Sequence, residues 1–546
     1  MIDKLKKFKI NFILALGITV IFIIAEQFFR VYNEILSFNL TFKSFFEQFL
    51  IHFLIISIVS KRAIYIVYSL FLTFVWFQLV HFNYYGTWIF PLEYLLFFVE
   101  FKETLFTFKS VAYIAILPTL VTFFLAVTTF FILKTLLSKR VKVPYLSLVI
   151  ILILLFTPVK IYLKNNYTKY SNPNFEYFIV KNTILTLSNL FGNVVPKKLS
   201  GKSGLEQEVV PAPIVIDKFP NVNVVLIMGE SLTRDYMSLY DFDIKTTPYL
   251  DKLKLDKDFL FKKGISSGVL TTIAVPNFMH MVKKPDGVPQ ILSSNNCLFK
   301  LAKDNGFNTY FFSAQAQDEL KGIKSYLCTN WLDDLQDGTL ITKIKDKSAL
   351  DIHLLDMMDG VDFSKPVFLT LQQRASHTPF VETFPKEFEI YTKENLRDKD
   401  ILQNTVDYFN SIRYTDFILE SIIKRLKETT DRPTYIVFTS DHGTNIGDKN
   451  RQGHGLLVNE SIYKVPFFIY SINTKNRYKD KFGEFPYISH FQISHLISSL
   501  LGYDTHYEVF NTKEDYYVCG NDLSGLGGFI KISFDENNIL INKSGI

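Results

Sequence analysis

Cysteine is scarce in this chain. Its 546 residues hold three, Cys297, Cys328 and Cys519, none of them in the first half. So few in so long a chain exclude a disulfide-built scaffold, and no Cys-x-x-Cys pair offers a metal knuckle. At most one internal disulfide and a spare thiol remain, with Cys297 and Cys328 the preferred pair. Excess charge is small too, a formal +6. No stripe of Arg and Lys interleaved with aromatics is present, which argues against nucleic acid as a partner. No internal repeat or low-complexity tract stands out. The first apolar segment lacks the small-x-small end of a cleaved signal and runs into Glu26-Gln27-Phe28-Phe29-Arg30, so it reads as a retained anchor.

What is abundant is apolar and aromatic. Aromatics make up 16% of the chain, with 54 Phe, and the excess sits in the first third. Five apolar segments lie there, 10–29, 44–60, 63–82, 110–133 and 143–163. Each approaches the roughly 20 residues that cross a hydrocarbon core, the second being the shortest. With the N-terminus inside, one side of the membrane carries Lys4, Lys6, Lys7, Lys9, Lys61, Arg62, Lys134, Lys139, Arg140 and Lys142. The other carries Arg30, Lys43, Lys102 and Lys109, diluted by Glu34, Glu47, Glu93, Glu100 and Glu103. That is the positive-inside distribution, and five crossings place everything after residue 164 outside the cytoplasm. Loop 83–109, with Trp88, Glu93 and Glu100, reads either as an interfacial helix with aromatics at the headgroups or as a lid over a zwitterionic lipid.

The remainder divides into a bridge, 164–214, and a second domain, 215–546. Within the bridge, Val180 to Leu190 reads as an amphipathic helix, Lys197 to Lys202 as a basic turn, and Val209 to Pro213 as an extended spacer. Beyond it, short apolar runs alternate with longer amphipathic ones, the pattern of an α/β fold with a largely parallel sheet. Strands are expected at Val222–Met228, Asn308–Phe312, Pro366–Leu371, Thr434–Thr439 and Val465–Tyr470, and helices at Phe299–Asn305, Gln403–Arg425 and His490–Leu501. Such a sheet puts chemistry at the carboxyl ends of its strands. There the first strand delivers Gly229-Glu230-Ser231 and a later one Asp441-His442-Gly443. Acidic oxygens with an imidazole suit zinc or manganese.

Alone, Gly-Glu-Ser is an ordinary turn into a helix and Asp-His-Gly a common turn tripeptide. Between and after them stand Ser267-Gly268-Val269-Leu270-Thr271-Thr272-Ile273-Ala274-Val275-Pro276, Ser376-His377-Thr378-Pro379 and Gly453-His454-Gly455. In that order the chain resembles the alkaline-phosphatase/sulfatase superfamily and, more narrowly, the membrane-bound phosphoethanolamine transferases of Gram-negative envelopes. The run 229–240 followed by Thr246-Thr247-Pro248 leans the same way.

The resemblance implies a five-helix transmembrane bundle joined to a periplasmic sulfatase-like α/β domain, anchored in the inner membrane. It implies Zn2+, ahead of Mn2+, on Glu230, Asp441, His442 and Thr271, with Thr271 as nucleophile because it stands five residues before Pro276. Thr272 is its rival. His377 and His454 match family histidines that contact the transferred phosphoryl group. The implied reaction moves phosphoethanolamine from phosphatidylethanolamine through a phospho-threonine enzyme to an envelope glycolipid, lipid A or a core sugar, with the protein a monomer. The product lowers the attraction of the envelope for cationic peptides such as polymyxin.

Departures accompany the match. Ser267 and Asn277 occupy the places of a cysteine pair that flanks the nucleophile in many relatives, and Gln372 replaces a further histidine. Gln315 and Lys321 lie where relatives contact phosphate or acceptor, with a poor match. His280, His353, His490 and His495 match nothing and read as structural or surface residues. A sulfatase proper needs a Cys/Ser-x-Pro-x-Arg nucleophile, which is missing. The lipoteichoic-acid-synthase type, a glycerol-phosphate transferase, is the nearest alternative; a membrane-anchored hydrolase or an inert scaffold is the other.

Overall fold

Long uninterrupted apolar runs wind into helices because a membrane interior leaves backbone groups no partner but each other. The structure is a computed structural model. It describes residues 2–33, 35, 41–99, 101, 112–164, 173–315, 317–338, 351–398, 400–448, 451–478, 482, 485–504, 514–535 and 540–545. Glu34, Glu100, Lys102, Glu103, Lys109 and bridge residues 165–172 lie outside this set. Two compact units emerge, Met1–Gly204 and Leu205–Ile546.

The first unit contains α1 (Ile2–Tyr32), α2 (Phe42–Ile56), α3 (Lys61–Tyr85), α4 (Glu93–Val99), α5 (Ile116–Leu136), α6 (Pro144–Leu163) and α7 (Ile179–Asn189). Helix starts follow local chemistry: Thr41 accepts from Ser44 N at 3.1 Å and Ser60 from Ala63 N at 3.2 Å, capping α2 and α3. Among the described residues, three helices are long and apolar enough to cross a membrane: Lys9–Tyr32, Lys61–Tyr85 and Ala112–Lys139. At 15 residues α2 is short of a full crossing. The fifth expected segment forms the 20-residue α6, several of whose side chains lie outside the described set.

Trp88 departs from the interfacial expectation. It is fully buried, packed on Phe29 and Phe82, with the Arg30 guanidinium 5.4 Å from its ring centroid. Glu93 is occupied locally, 3.0 Å from His81 Nε2 and accepting from Phe90 N at 2.6 Å.

The second unit is built on one eight-stranded sheet. Its strands are β1 (Asn223–Gly229), β2 (Phe259–Ile265), β3 (Asn308–Ser313), β4 (Asp334–Gln336), β5 (Val367–Gln372), β6 (Thr434–Ser440), β7 (Lys464–Ile472) and β8 (Tyr487–Ser489). Spatial order is β8-β2-β7-β6-β1-β5-β3-β4, and β7 alone runs against the rest. All seven residues of β1 are buried, as a central parallel strand covered on both faces requires. Val225 and Ile227 face α11 (Gln403–Thr429), while Val224, Leu226 and Met228 face α9 (Leu298–Asp304) and α12 (His490–Leu500).

With both faces apolar, register decides what the strand tips present. Gly229 pairs with Ser440, so Glu230 and Asp441 leave the sheet at one level, and Met228 pairs with Gln372, so β5 ends one residue earlier beside them. All five expected strands form within a residue or two of their expected ends. Three strands of the sheet, β2, β4 and β8, lie outside the expected set, and β2 reads Phe-Leu-Phe-Lys-Lys-Gly-Ile, its apolar run broken by two lysines. Lys262 is accommodated by reaching along the sheet to donate to Phe485 O at 2.7 Å.

Candidate metal and phosphoryl-transfer site

Glu230 is aimed by a turn whose backbone few side-chain-bearing residues adopt. Ser231 stands at φ +56°, the left-handed region, and its N–H donates to Asp441 Oδ1 at 3.1 Å while its hydroxyl donates to Glu230 Oε1 at 2.8 Å. From α11, Tyr408 donates to Ser231 O at 2.8 Å and accepts from Thr233 N at 3.0 Å. Tyr408→Phe removes both bonds and strands two buried backbone groups. An expected loss of about 1–3 kcal/mol follows, read as a lower unfolding temperature of the purified protein in detergent.

Asp441 and His442 follow β6, where Gly443 is obligatory: a Cβ there would stand 2.1 Å from Ser461 O. The imidazole of His442 is oriented through Nδ1, 2.8 Å from Gly443 O, which leaves Nε2 turned to the carboxylates at 3.4 Å from Asp441 Oδ2 and 3.7 Å from Glu230 Oε1. Glu230, Asp441 and His442 are all completely buried, with ligand atoms within 4.8 Å of one another.

Thr271 is the first residue of α8 (Thr271–Met279), half-buried at the helix N-terminus. Its hydroxyl lies 2.6 Å from Asp441 Oδ2 and 3.3 Å from both Glu230 Oε2 and His442 Nε2. Thr272 points elsewhere, packing so closely on α10 (Gln317–Lys324) that a Cβ on Gly322 would sit 2.6 Å from its methyl. Geometry thus separates two hydroxyls that spacing could not.

Both further histidines come to the same pocket. The His454 ring centroid is 4.4 Å from that of His442 and 6.3 Å from that of His377. Its Nδ1 is buried without a hydrogen-bond partner. Burial, then His442 and His377, hold His454 well below the usual imidazole range, so it is neutral. His377 Nδ1 lies 2.8 Å from Thr378 O.

Burial, and next the Glu230 carboxylate, push Asp441 up to about 6. Two enclosed carboxylates facing one imidazole and a hydroxyl form a donor set short of positive charge, which fits a divalent cation of the zinc class.

Sequence reasoning undervalued Gln315, whose Nε2 donates to Glu230 Oε2 at 2.6 Å. His490, read as a structural or surface residue, is buried and structural. His490 Nε2 lies 2.9 Å from Ser440 O and its Nδ1 accepts from Ser267 N at 3.2 Å, so it ties the tip of β6 to the nucleophile segment. His280 and His495 are buried, as a structural role requires. At the two positions where the resemblance implied a cysteine pair, polar links stand. Ser267 donates to Ala274 O at 3.2 Å, and Asn277 hydrogen-bonds the Cys519 thiol. Cys297 and Cys328 form a disulfide.

A family model described as Sulfatase matches residues 222–503. Phosphoethanolamine transferase EptA of Helicobacter pylori is 25% identical over 273 residues, 48% of this chain and 50% of its own length. The Kdo(2)-lipid A phosphoethanolamine 7''-transferase of Escherichia coli is 23% identical over 259 residues, 45% of this chain and 44% of its own. The chain therefore spans about half the length of the curated relatives it matches. Among solved structures, the integral membrane protein lipooligosaccharide phosphoethanolamine transferase A (EptA) from Neisseria meningitidis shares the fold. Its TM-score is 0.54 at 14% identity, covering 92% of this chain and 97% of that one.

Proposed function

The chain belongs to the sulfatase family, and from that membership we propose that it transfers phosphoethanolamine from phosphatidylethanolamine to an envelope glycolipid, lipid A or a core sugar. The observation that carries this reading is the Thr271 hydroxyl, held within 3.3 Å of two carboxylates and an imidazole.

Glu230, Asp441 and His442 would hold Zn2+ with Thr271 at the remaining position. Bound there, the ion would lower the pKa of the hydroxyl and offset the charge of the phosphoryl oxygens. Thr271 Oγ1 then attacks phosphorus, with Asp441 Oδ2 at 2.6 Å as the nearest acceptor for its proton. The bond from phosphorus to the glycerol oxygen breaks, and diacylglycerol leaves with a proton. An acceptor oxygen next attacks the phosphothreonine, and Thr271 recovers its proton as the acceptor loses one. The amino end of α8 and the rings of His454 and His377 face the charge that builds on the phosphoryl oxygens. Neutral His454 can donate a hydrogen bond there.

Gln315 acts by orienting Glu230. Gln315→Leu should weaken zinc binding by about 10–100-fold, the usual effect of losing a partner that orients a ligand, as measured by competition with a chromogenic chelator.

Five crossings from a cytoplasmic N-terminus would put the catalytic unit in the periplasm and anchor the protein in the inner membrane. The donor is tested by diacylglycerol release from vesicles. Release from phosphatidylethanolamine, dependent on Thr271, is expected. Release from phosphatidylglycerol alone would make the protein a glycerol-phosphate transferase instead.

A further inference from the structure

The disulfide between Cys297 and Cys328 is pressed against a histidine that the reaction does not use. His280 follows the last turn of α8, and its Nε2 lies 3.4 Å from Cys328 Sγ and 2.7 Å from Tyr326 O. One donor atom from each of His280, Cys297 and Cys328 falls within 4.8 Å of the others. None of the three is open to solvent, at 1%, 0% and 9% exposure. His280 Nδ1, moreover, is buried with no hydrogen-bond partner.

We propose that these three side chains, once the disulfide is reduced, form a second metal site of Cys2His type that takes Zn2+. The spacing is close to what the ion needs. Zinc–sulfur and zinc–nitrogen bonds at a tetrahedral angle put sulfur and nitrogen about 3.6 Å apart, a few tenths of an ångström from the separation between His280 and Cys328. With Nε2 on the ion, the imidazole proton resides on Nδ1. Tyr326 O, now 2.7 Å from Nε2, would be left as a nearby oxygen donor. Burial pushes the His280 imidazole down to about 4, so the ring is in the neutral form that ligates.

The site exists in one redox state only. A dithiol reductant breaks the S–S bond, supplies two electrons and two protons, and leaves as its own disulfide. The two thiols lose their protons as the ion binds. Reoxidation withdraws both sulfur ligands and releases the ion. Cys519 does not compete: it belongs to a separate apolar cluster, and burial pushes its thiol up to about 12. Two thiolates and an imidazole also differ in kind from the oxygen-rich set around Thr271, so a probe that reports sulfur ligation reads this site alone.

The test uses the full chain in detergent with Co2+ as the probe. The wild type is kept oxidised or reduced anaerobically with a phosphine. The reduced chain should show a near-ultraviolet sulfur-to-cobalt charge-transfer band that the oxidised chain lacks, and should bind one more ion. Cys297→Ser should abolish the band. His280→Gln, which keeps the disulfide, should weaken Co2+ binding to the reduced chain at least tenfold. No band in the reduced wild type would overturn the proposal, as would a band that survives Cys297→Ser or persists after unfolding in urea. The band is independent of the site at Thr271, so loss of that reading would leave the result interpretable.

Discussion

Thr271→Ala should lower transferase turnover by about 10^4-fold or more, on the scale seen when a catalytic nucleophile is deleted. No neighbouring group takes over. Thr272 packs its methyl on α10, and the carboxylates of Glu230 and Asp441 would already be engaged by the proposed ion. Thr271→Ser keeps a hydroxyl at the amino end of α8 and should retain activity within about 10–100-fold, the loss reflecting the freer rotamer of an unbranched side chain. Thr272→Ala should stay within a few-fold of wild type, because it removes a packing contact and no reacting atom. Steady-state transfer to a glycolipid acceptor, with zinc saturating, reads all three. Equal losses in Thr271→Ala and Thr272→Ala would mean that the segment matters only as structure.

Asp441→Asn should have opposite effects on stability with and without the ion. In the metal-free wild type, two fully buried carboxylates face one another, and their repulsion with their desolvation destabilises the fold. Replacing one with an amide of the same shape should stabilise the metal-free protein by about 1–3 kcal/mol. With zinc at about 1,000 times its dissociation constant, the wild type gains about 4 kcal/mol by binding linkage. The variant, short of an anionic ligand, should gain little. Thermal unfolding in detergent, with chelator and then with zinc, should show the two proteins exchange rank. A variant less stable than wild type in both conditions would mean that Asp441 is held chiefly by its bonds from Ser231 and His442 backbone N–H groups.

Much of this was legible in the residues because buried parallel strands leave a crude signal. Val224 to Met228 and Tyr435 to Phe438 are continuous apolar runs, followed within three residues by Glu230 and Asp441, so the strand tips and their carboxylates could be read directly. Two kinds of information could not. Direction around a helix is one: Thr271 and Thr272 are adjacent in sequence, and only the packing of α10 shows which hydroxyl meets the carboxylates. Contact between distant segments is the other. Gln315 reaches Glu230 from 85 residues away, and His490 reaches Ser267 from 223 residues away. A strand holding Lys262 and Lys263 conceals itself because its buried ammonium is satisfied by carbonyls that lie more than 200 residues further on.

Trp88 teaches a similar lesson for the membrane unit. An aromatic beside a predicted span suggests the headgroup region, yet its ring is sealed among Phe29, Phe82 and Phe175 with Arg30 at its face. Composition indicates which residues favour an interface, whereas local packing decides which of them reach it.

The most direct measurement is the intact mass of the full-length protein in detergent after incubation with zinc and phosphatidylethanolamine, without acceptor. Wild type should gain the mass of one phosphoethanolamine group, and Thr271→Ala should gain nothing. An adduct that persists in Thr271→Ala would contradict the assignment of the nucleophile. No adduct on wild type with zinc bound would contradict the covalent transfer itself.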